Sequence, residues 1–360
     1  MDSVTQAALG ATVAGLVAGK RCSPKVLLAG AALGTLPDLD VLIDYGDPVA
    51  NTVNHRGFSH SLFVLPWVGA LIAWCWWRWQ RQWPLWQVMT LVIAVLVTHP
   101  LLDAMTVYGT KLFWPLEVPS VAVASLFIID PLYTVPLLVA LISALVWRHL
   151  GAKACGVGLM VSSLYLASSV YQLQQIKTRV AEQTQGTLLE GQPLIIMPTP
   201  FNTLLWRVVV SGEEQYWEGL ASRLDANPSI DWVAQPLGEW PLANSDTLSA
   251  LRTFSRNFIR FENRNGQQVV TDLRFGVAAY QPFQFLLAEQ NTDGDWYPVS
   301  PKQLEPGPLP ETALPALWQR LLGDQSIDAK LCRQSCQQTD PRWAEPISSA
   351  ALPATASEKQ

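Results

Sequence analysis

Three of the four histidines of this chain lie within 45 residues of one another, and aspartates accompany them. They occur in residues 36–40, 55–61 and 99–103, three stretches that border apolar runs. Imidazole and carboxylate ligands without thiolates favour a divalent metal, zinc first, with manganese or iron as alternatives. The pattern predicts a metal site with six ligands: Asp38, Asp40, His55, His60, His99 and Asp103.

Two of the stretches predict pairs of ligands from spacing alone. His99 and Asp103 are four residues apart at the end of a predicted helix, so they share one face and can hold one ion. The alternative is a solvated helix end with Asp103 at the water interface. Asp38 and Asp40 would point the same way in an extended segment, although an Asp-x-Asp is also typical of a polar turn that caps a helix.

The third stretch contains two histidines and an arginine. His55 and His60 are five residues apart and do not share a helical face, so we expect His55 in a loop. His60 is expected in the first turn of the next helix, capped by Ser59 or by the serine after it. Arg56 could clamp a phosphate or carboxylate. The alternative is a His/Arg cluster that meets lipid head groups.

Other polar residues near these stretches have less specific patterns. Asp130 precedes a proline, which is typical of a helix N-cap; a metal carboxylate is the other interpretation. A polar group at residues 106–110 could orient the ligands or line a cleft. His149 lies beside Arg148 and is expected at the opposite, basic membrane interface.

The six ligands indicate hydrolysis by a metal-activated water. They are too many for one catalytic zinc with an open position, but two ions could share them and stabilise the attacking and leaving oxygens of a phosphoester. Asp38, Asp40 and Asp103 are then also catalytic candidates, one of them as general base, with Arg56 holding the substrate anion. The sequence contains no P-loop, nucleophile elbow or dinucleotide fingerprint.

The elements that must carry these residues are apolar. The chain is 49% hydrophobic and 15% charged. Residues 1–171 carry a net charge of +1 (9 basic, 8 acidic) and residues 172–360 of −6 (15 basic, 21 acidic), together the −5 of the chain. Neither part has the basic surface of a protein that binds nucleic acid directly. Predicted membrane helices lie at 61–78, 85–102, 127–147 and 154–171, with shorter apolar stretches at 7–19 and 26–35.

Charge and tryptophan patterns predict the orientation. Six tryptophans lie between Trp74 and Trp86, beside Arg78 and Arg81, and two further basic loops fall on the same face if every segment crosses. Basic loops mark the cytoplasmic side. We therefore expect a multi-pass bacterial inner-membrane protein without a cleavable signal peptide, whose metal site and C-terminal domain are periplasmic.

The C-terminal part has β patterns. A strand is predicted at 204–210, and hairpins are predicted around Asn265-Gly266 and Asp293-Gly294. The predicted fold is therefore an α-helical integral membrane domain of four to six helices (1–175), then a β-rich, α+β soluble domain (176–345) and a disordered tail (346–360). Cys332 and Cys336 could form a disulfide or remain free thiols.

The motifs occur in the order of a known family. Met-Asp-Ser-Val-Thr-Gln (1–6), Leu-Pro-Asp-Leu-Asp (36–40), His-Arg-Gly-Phe-Ser-His-Ser (55–61), Leu-Leu-Asp (101–103), Tyr-Gly-Thr (108–110) and Ile-Asp-Pro-Leu-Tyr (129–133) resemble the YdjM-type bacterial inner-membrane proteins. Residues 198–202 resemble the extra domain of a longer subgroup. Many relatives have histidine at the position of Gln6, which could still bind metal through its amide oxygen.

The resemblance implies a membrane-bound metal-dependent hydrolase, some members being described as LexA-binding. A looser likeness to zinc-dependent phospholipases C implies phosphoester or lipid-linked substrates. Three functions follow as hypotheses: a hydrolase in the lipid bilayer that acts on a small-molecule or lipid-linked substrate; a membrane-anchored regulator with a structural metal and a protein partner for its C-terminal domain; and an ion or metal transporter.

Overall fold

The structure, a computed structural model, describes residues 1–277 and 280–333 and divides into two compact units. The helical unit comprises Met1–Asp44, Asn54–Tyr171 and Pro200–Asn202. The β-rich unit comprises Tyr45–Val53, Gln172–Thr199 and the chain from Thr203 onward. The predicted boundary at 175/176 stays a prediction, and the predicted tail (346–360) and Cys336 lie outside the described residues.

Helices dominate the first unit. The described residues contain these α-helices: α1 (Ser3–Ala18), α2 (Pro24–Thr35), α3 (Pro48–Asn54), α4 (Leu65–Trp79), α5 (Leu85–Asp103), α6 (Pro131–Val146), α7 (Gly151–Thr184), α8 (Asp246–Ser255) and α9 (Ala313–Leu321). Short 3₁₀ helices occur at Gly19–Arg21, Pro37–Leu42, Phe58–His60 and Arg148–Leu150. Of the α-helices, α3, α8 and α9 belong to the β-rich unit, apart from the last residue of α3, and α7 contributes residues to both units.

Close backbone contact joins α1 to α2. A Cβ added to Gly30 would lie 2.4 Å from the Ala14 Cβ and 2.6 Å from the Gly10 carbonyl oxygen. Small residues permit such approach between helices in a membrane, where tight packing replaces the hydrophobic drive. The contact holds the carboxyl end of α2 beside the first turns of α1.

The core of the helical unit forms around α5. Leu91, Val92 and Leu96 of this helix are fully buried, and they pack with residues of α1, α4 and α6. A helix that is buried on several sides has no polar face, which explains why α5 is apolar all round. The result is a fixed position for the carboxyl end of α5, where His99 and Asp103 lie.

Among the described residues, two helices are long and apolar enough to cross a membrane by length and composition: Leu85–Asp103 and the continuous helical segment Arg148–Thr184. A third span is counted if the bent pair Pro48–His60 and Leu65–Trp79 forms one crossing, and Pro131–Val146 is shorter. All four predicted spans fall on helices, which confirms the helical membrane domain. The four-span, multi-pass topology stays a prediction.

Two antiparallel sheets form the centre of the second unit. The first has the order β1-β2-β3-β4 and the second β5-β6-β7-β8. The strands are β1 (Leu194–Pro198), β2 (Leu205–Ser211), β3 (Gln215–Ser222), β4 (Val233–Pro236), β5 (Ile259–Arg264), β6 (Gln267–Asp272), β7 (Gln284–Gln290) and β8 (Trp296–Leu304). The predicted β-rich fold is confirmed.

The predicted hairpins connect strands of the second sheet. Asn265 and Gly266 have φ values of 55° and 81° between β5 and β6, as a two-residue hairpin turn requires. Gly294, at φ 88°, lies in the connection between β7 and β8. Local turn chemistry therefore predicted both reversals correctly.

Candidate metal centre

The segment with Asp38 and Asp40 departs from the extended conformation predicted for it. Pro37–Leu42 is a 3₁₀ helix with about three residues per turn, so side chains two apart point in different directions. Asp38 lies in a group with His60, His99 and Asp103, whereas both Asp40 oxygens bind neighbouring groups. The extended conformation is wrong because the chain stays helical after α2: a 3₁₀ helix begins at Pro37, almost directly after that helix ends.

His60 also lies in a different element from the predicted one. It ends the 3₁₀ helix Phe58–His60, five residues before α4 begins at Leu65. His55 follows α3 in a turn, outside regular structure, as expected. The backbone N–H of Leu62 donates to the Leu112 carbonyl (2.9 Å) and anchors the segment that follows His60.

His99 and Asp103 lie one turn apart in the last turns of α5, as their spacing predicts. Both side chains are fully buried, and His99 Nε2 lies 3.5 Å from Asp103 Oδ2. Pro100 lies inside the helix between them. A buried imidazole and a buried carboxylate at this depth need a partner to offset the loss of hydration.

Four ligand atoms converge at this point. His60 Nε2 lies 3.3 Å from both Asp38 Oδ1 and Asp103 Oδ2, and His99 Nε2 lies 3.3 Å from Asp38 Oδ1 and 3.1 Å from His60 Nε2. A tetrahedron with metal–ligand bonds of about 2.0–2.1 Å has edges of about 3.3 Å. Five of the six distances between these atoms, 3.1–3.5 Å, match those edges, and all four atoms lie within 4.8 Å of one another, so the residues could hold a divalent metal.

The hydrogen bond on the far side of His99 supports this fit. His99 Nδ1 lies 2.6 Å from the Gly34 carbonyl oxygen, which can only accept. Nδ1 therefore carries the proton in the neutral ring, and Nε2 presents a lone pair to the other three residues. Metal-bound histidines usually show this arrangement of a donating outer nitrogen and a coordinating inner nitrogen.

A similar chain of contacts orients His60. The Ser59 hydroxyl donates to Asp40 Oδ2 (2.7 Å), so its oxygen is left to accept from His60 Nδ1 (2.9 Å). His60 Nε2 then also presents a lone pair. Two lone pairs 3.1 Å apart repel each other unless a cation lies between them, and this supports a metal at the centre of the group.

Asp40 contacts several residues that neighbour the group of four. Its carboxylate contacts His55 Nδ1 (2.8 Å) and accepts from the Arg56 backbone N–H (3.0 Å) and from Ser59. Burial raises the pKa of Asp40, but hydrogen bonds with His55 and Ser59 lower it by more, so the pKa lies below its usual range. Asp40 is thus an ionised hydrogen-bond acceptor beside the four converging residues. His55 contacts Asp40 and, like it, lies outside the group of four.

Cationic and amide groups surround Asp103. Arg56 Nε lies 3.2 Å from Asp103 Oδ2, and the Met1 amino group pairs with Oδ1. The Gln6 amide donates to Asp103 Oδ1 at 2.9 Å, while its own Oε1 is buried without a hydrogen bond among the described residues. Arg56 also stacks over Tyr108, its Cζ 4.7 Å from the ring centroid. Gln6 therefore contacts and positions the Asp103 carboxylate.

The remaining sequence candidates lie outside the group of four. Asp130 accepts from the backbone N–H groups of Leu132 and Tyr133 and is the N-cap of α6, as the simpler interpretation predicts. Its second oxygen accepts from the Tyr165 hydroxyl (2.9 Å). His149 is exposed in the 3₁₀ helix Arg148–Leu150.

Sequence reasoning missed two outer contacts. The sequence pattern predicts Ser59 only as a cap, although its place between an acidic segment and His60 is a usable signal. The Gly34 carbonyl has no signal of its own, because any residue has a carbonyl and only the packing of α2 brings this one to His99. Thr106 of the predicted polar group accepts from Arg56 (3.3 Å), consistent with an orienting role.

One of the four side chains is partly exposed. The side chains of His60, His99 and Asp103 are fully buried, whereas that of Asp38 is 20% exposed. Asp38 Oδ1 is itself buried, so the exposure belongs to the rest of the side chain.

Comparison with known proteins identifies the region that carries this geometry. Residues 1–176 match the family described as YdjM inner membrane protein. This part of the chain is similar to that family over its whole length. The resemblance read from the sequence motifs is confirmed, and the chain adds a further C-terminal region beyond the match.

Two relatives extend the comparison. The chain is 35% identical over 115 residues to the inner membrane protein YbcI of Escherichia coli (strain K12), a match that covers 31% of the chain and 64% of YbcI. It is 23% identical over 226 residues to the protein YfhP of Bacillus subtilis (strain 168), with 61% of the chain and 68% of YfhP covered. No solved structure matches. The chain thus spans less than two thirds of the length of YbcI. The match to an inner-membrane protein family and the apolar helices support a membrane location.

Proposed function

We propose that this chain is a metal-dependent hydrolase of the bacterial inner membrane that acts on phosphoester or lipid-linked substrates. One observation supports this most directly: the Nε2 atoms of two buried histidines and two carboxylate oxygens converge within 4.8 Å of one another. Such a set of ligands suits zinc, and manganese or iron remain alternatives.

The proposed ligands are Asp38, His60, His99 and Asp103. Asp40 and His55, predicted as ligands from the sequence, would act by orienting the others. A divalent metal held there would serve as a Lewis acid that lowers the pKa of water and offsets charge on a phosphoryl oxygen. Two carboxylates and two neutral imidazoles carry the negative charge that a divalent cation needs.

The residues of the chain supply proton transfer and substrate binding. Hydrolysis forms a bond from a water oxygen to phosphorus and breaks the bond from phosphorus to the leaving oxygen. One proton leaves the water, and one reaches the leaving oxygen. Asp38 is the proposed proton acceptor, because it alone of the four reaches solvent. Arg56, whose Nε lies beside the Asp103 carboxylate, is the proposed contact for the substrate anion.

We also propose a multi-pass topology with the site and the β-rich unit in the periplasm. The support is the basic character of the loops near Lys20, Arg78 and Arg148, which the positive-inside rule assigns to the cytoplasm. Cysteine accessibility at Cys75, which is exposed beside these charges, tests it. Labelling of Cys75 by an impermeant maleimide in intact cells would contradict this orientation.

The decisive experiment measures bound metal and hydrolysis on the same preparations. The full chain is purified in mild detergent without chelators as wild type, His99→Ala and His149→Ala. Elemental analysis and turnover of bis(p-nitrophenyl) phosphate and of short-chain phospholipids are then compared. We expect metal and turnover in wild type and in His149→Ala, the matched control at an exposed histidine, and neither in His99→Ala.

Two results would contradict the proposal in different ways. Full metal occupancy in His99→Ala would contradict the assignment of the metal site to this group of residues. Metal that is lost in His99→Ala, with no turnover of any phosphoester by wild type, would instead favour a membrane-anchored regulator with a structural metal. A search for a protein partner of the β-rich unit would then take priority.

A further inference from the structure

A guanidinium with no hydrogen bond or ion pair to any described residue lies in the wall of a cavity in the β-rich unit. The cavity has a volume of about 860 Å³ and lies between the loop at 237–244, the end of α8 and strand β5. Arg252, in the last turn of α8, lines it together with Trp240 and Phe261. This volume falls in the range of small-molecule sites, roughly 300–1,000 Å³.

Arg252 differs from the buried arginines of the same unit. Arg207, Arg274 and Arg320 each pair with a buried carboxylate. Arg252 is half-buried, and its guanidinium forms no hydrogen bond or ion pair with any residue that the structure describes; its Nε is fully buried. Its contact is with the face of Phe261, whose ring centroid lies 5.3 Å from Cζ. Stacking leaves the N–H groups at the guanidinium edge available to an acceptor.

Defined contacts position the loop that borders Arg252. Gly238 has a φ of +70°, and a Cβ there would lie 2.1 Å from the Phe261 carbonyl oxygen, so only glycine lets this loop lie against β5. The Trp240 indole donates to the Ala243 carbonyl (3.2 Å) and fixes the loop. Asn257 follows α8 with a left-handed φ of 63° and adds an amide to the cavity.

The lining combines an inner cation, apolar side chains and an acidic edge. Leu242 and Ile259 line the cavity near the two aromatic rings, and the exposed Glu213 and Glu239 also border it. The two carboxylates oppose ligands of high negative charge, such as nucleic acid strands or polyphosphates. A ligand with one or two negative charges on an apolar body could contact Arg252 and the apolar side chains at the same time.

We propose that this cavity binds a small ligand that carries one carboxylate or phosphoryl group on an apolar or aromatic body, with Arg252 as the anion contact. The planar guanidinium suits both kinds of oxyanion through paired hydrogen bonds. The site is separate from the metal centre and does not depend on the proposed hydrolase function, because every residue named here belongs to the β-rich unit.

Calorimetric titration of the full chain in detergent with three probes tests this: benzoate, phenyl phosphate and the neutral benzyl alcohol. We expect saturable binding of at least one anion and none of the alcohol, and the stronger anion identifies a carboxylate or a phosphoryl ligand. Arg252→Gln should weaken anion binding at least about tenfold, the loss expected for a charge-assisted pair. Arg223→Gln, at an exposed arginine outside the cavity lining, should bind like wild type.

Further variants separate this site from others. His99→Ala should bind both anions like wild type, which distinguishes the cavity from the metal centre. If Arg252→Gln does not fold, Trp240→Leu provides a second test, because it alters the wall and keeps the guanidinium; weaker binding is again expected. Equal affinity in wild type and Arg252→Gln, equal affinity for benzyl alcohol and benzoate, or no saturable anion binding would overturn the proposal.

Discussion

The Nε2 atoms of His60 and His99 lie 3.1 Å apart, and the outer nitrogen of each ring has an acceptor of its own. Gly34 supplies the acceptor for His99, and Ser59 supplies it for His60. With both Nδ1 atoms donating outward, each Nε2 atom presents a lone pair to the centre of the group. A divalent cation between the two rings would satisfy both lone pairs and the neighbouring carboxylates at once.

Metal binding should stabilise the protein against heat. A ligand that binds only the folded state adds about 2.7 kcal/mol when its free concentration is 100 times Kd, which raises Tm by roughly 5 °C or more for a unit of this size. Differential scanning fluorimetry of the full chain with zinc and with a chelator measures the shift. The same shift in His99→Ala as in wild type would contradict binding at this site.

Ser59→Ala should weaken metal binding without removing a ligand. The serine links Asp40 to His60 Nδ1, and without it the ring loses the contact that fixes its tautomer. Loss of such an outer contact typically costs about 10- to 100-fold in metal affinity. Competition with a chelating dye measures the affinity.

Ser59→Thr provides the matched control for this prediction, because it keeps the hydroxyl that links the two residues. We expect it to retain most of the affinity. Equal affinities in wild type and Ser59→Ala would show that the link does not orient His60.

Gly30→Ala should destabilise the helical unit and weaken the metal site together. The added methyl group would lie 2.4 Å from the Ala14 Cβ and 2.6 Å from the Gly10 carbonyl oxygen, so α1 and α2 must separate. Such overpacking costs about 1–3 kcal/mol. Because α2 carries the Gly34 carbonyl that orients His99, we expect lower Tm and weaker metal binding in the same variant.

A second glycine-to-alanine change serves as the control. A Cβ at Gly156 in α7 would meet only the end of the Leu16 side chain, at 3.3 Å, which can move. Gly156→Ala should therefore leave Tm and metal affinity close to wild type. A wild-type Tm in Gly30→Ala would contradict the tight contact between α1 and α2.

Arg207→Met should destabilise the β-rich unit strongly. Arg207 pairs with Glu218 inside the unit, and both side chains are 1% exposed; its second nitrogen donates to the Leu273 carbonyl at 2.6 Å. Removal of one partner leaves a buried carboxylate, at a cost of about 3–5 kcal/mol. Chemical denaturation of the full chain, followed by far-UV circular dichroism, measures the loss.

The double variant Arg207→Met/Glu218→Leu should lose less than the sum of the two single changes, because no charge is then left unpaired. Arg264→Met, in the exposed pair of Arg264 with Glu262, should cost at most about 1 kcal/mol. Equal losses for Arg207→Met and Arg264→Met would mean that the buried pair contributes no more than an exposed one.

Local patterns in the sequence predicted much of the fold and part of the site. The apolar segments became α4 to α7, Asn265-Gly266 became a hairpin turn, and Asp130 became the N-cap of α6. His99 and Asp103 share a helical face because helical spacing alone requires it. In each of these cases the decisive interaction joins residues close in the chain.

Six candidate ligands follow from the sequence, but only the tertiary structure distinguishes the four that converge from the two that contact their neighbours. Asp38 and Asp40 diverge because Pro37–Leu42 is a 3₁₀ helix. His60 reaches His99, 39 residues away, because packing around α5 and the glycines between α1 and α2 fixes three segments at one point. Sequence thus determined which elements and which chemical groups were available, whereas the distances between groups distant in the chain arise from packing.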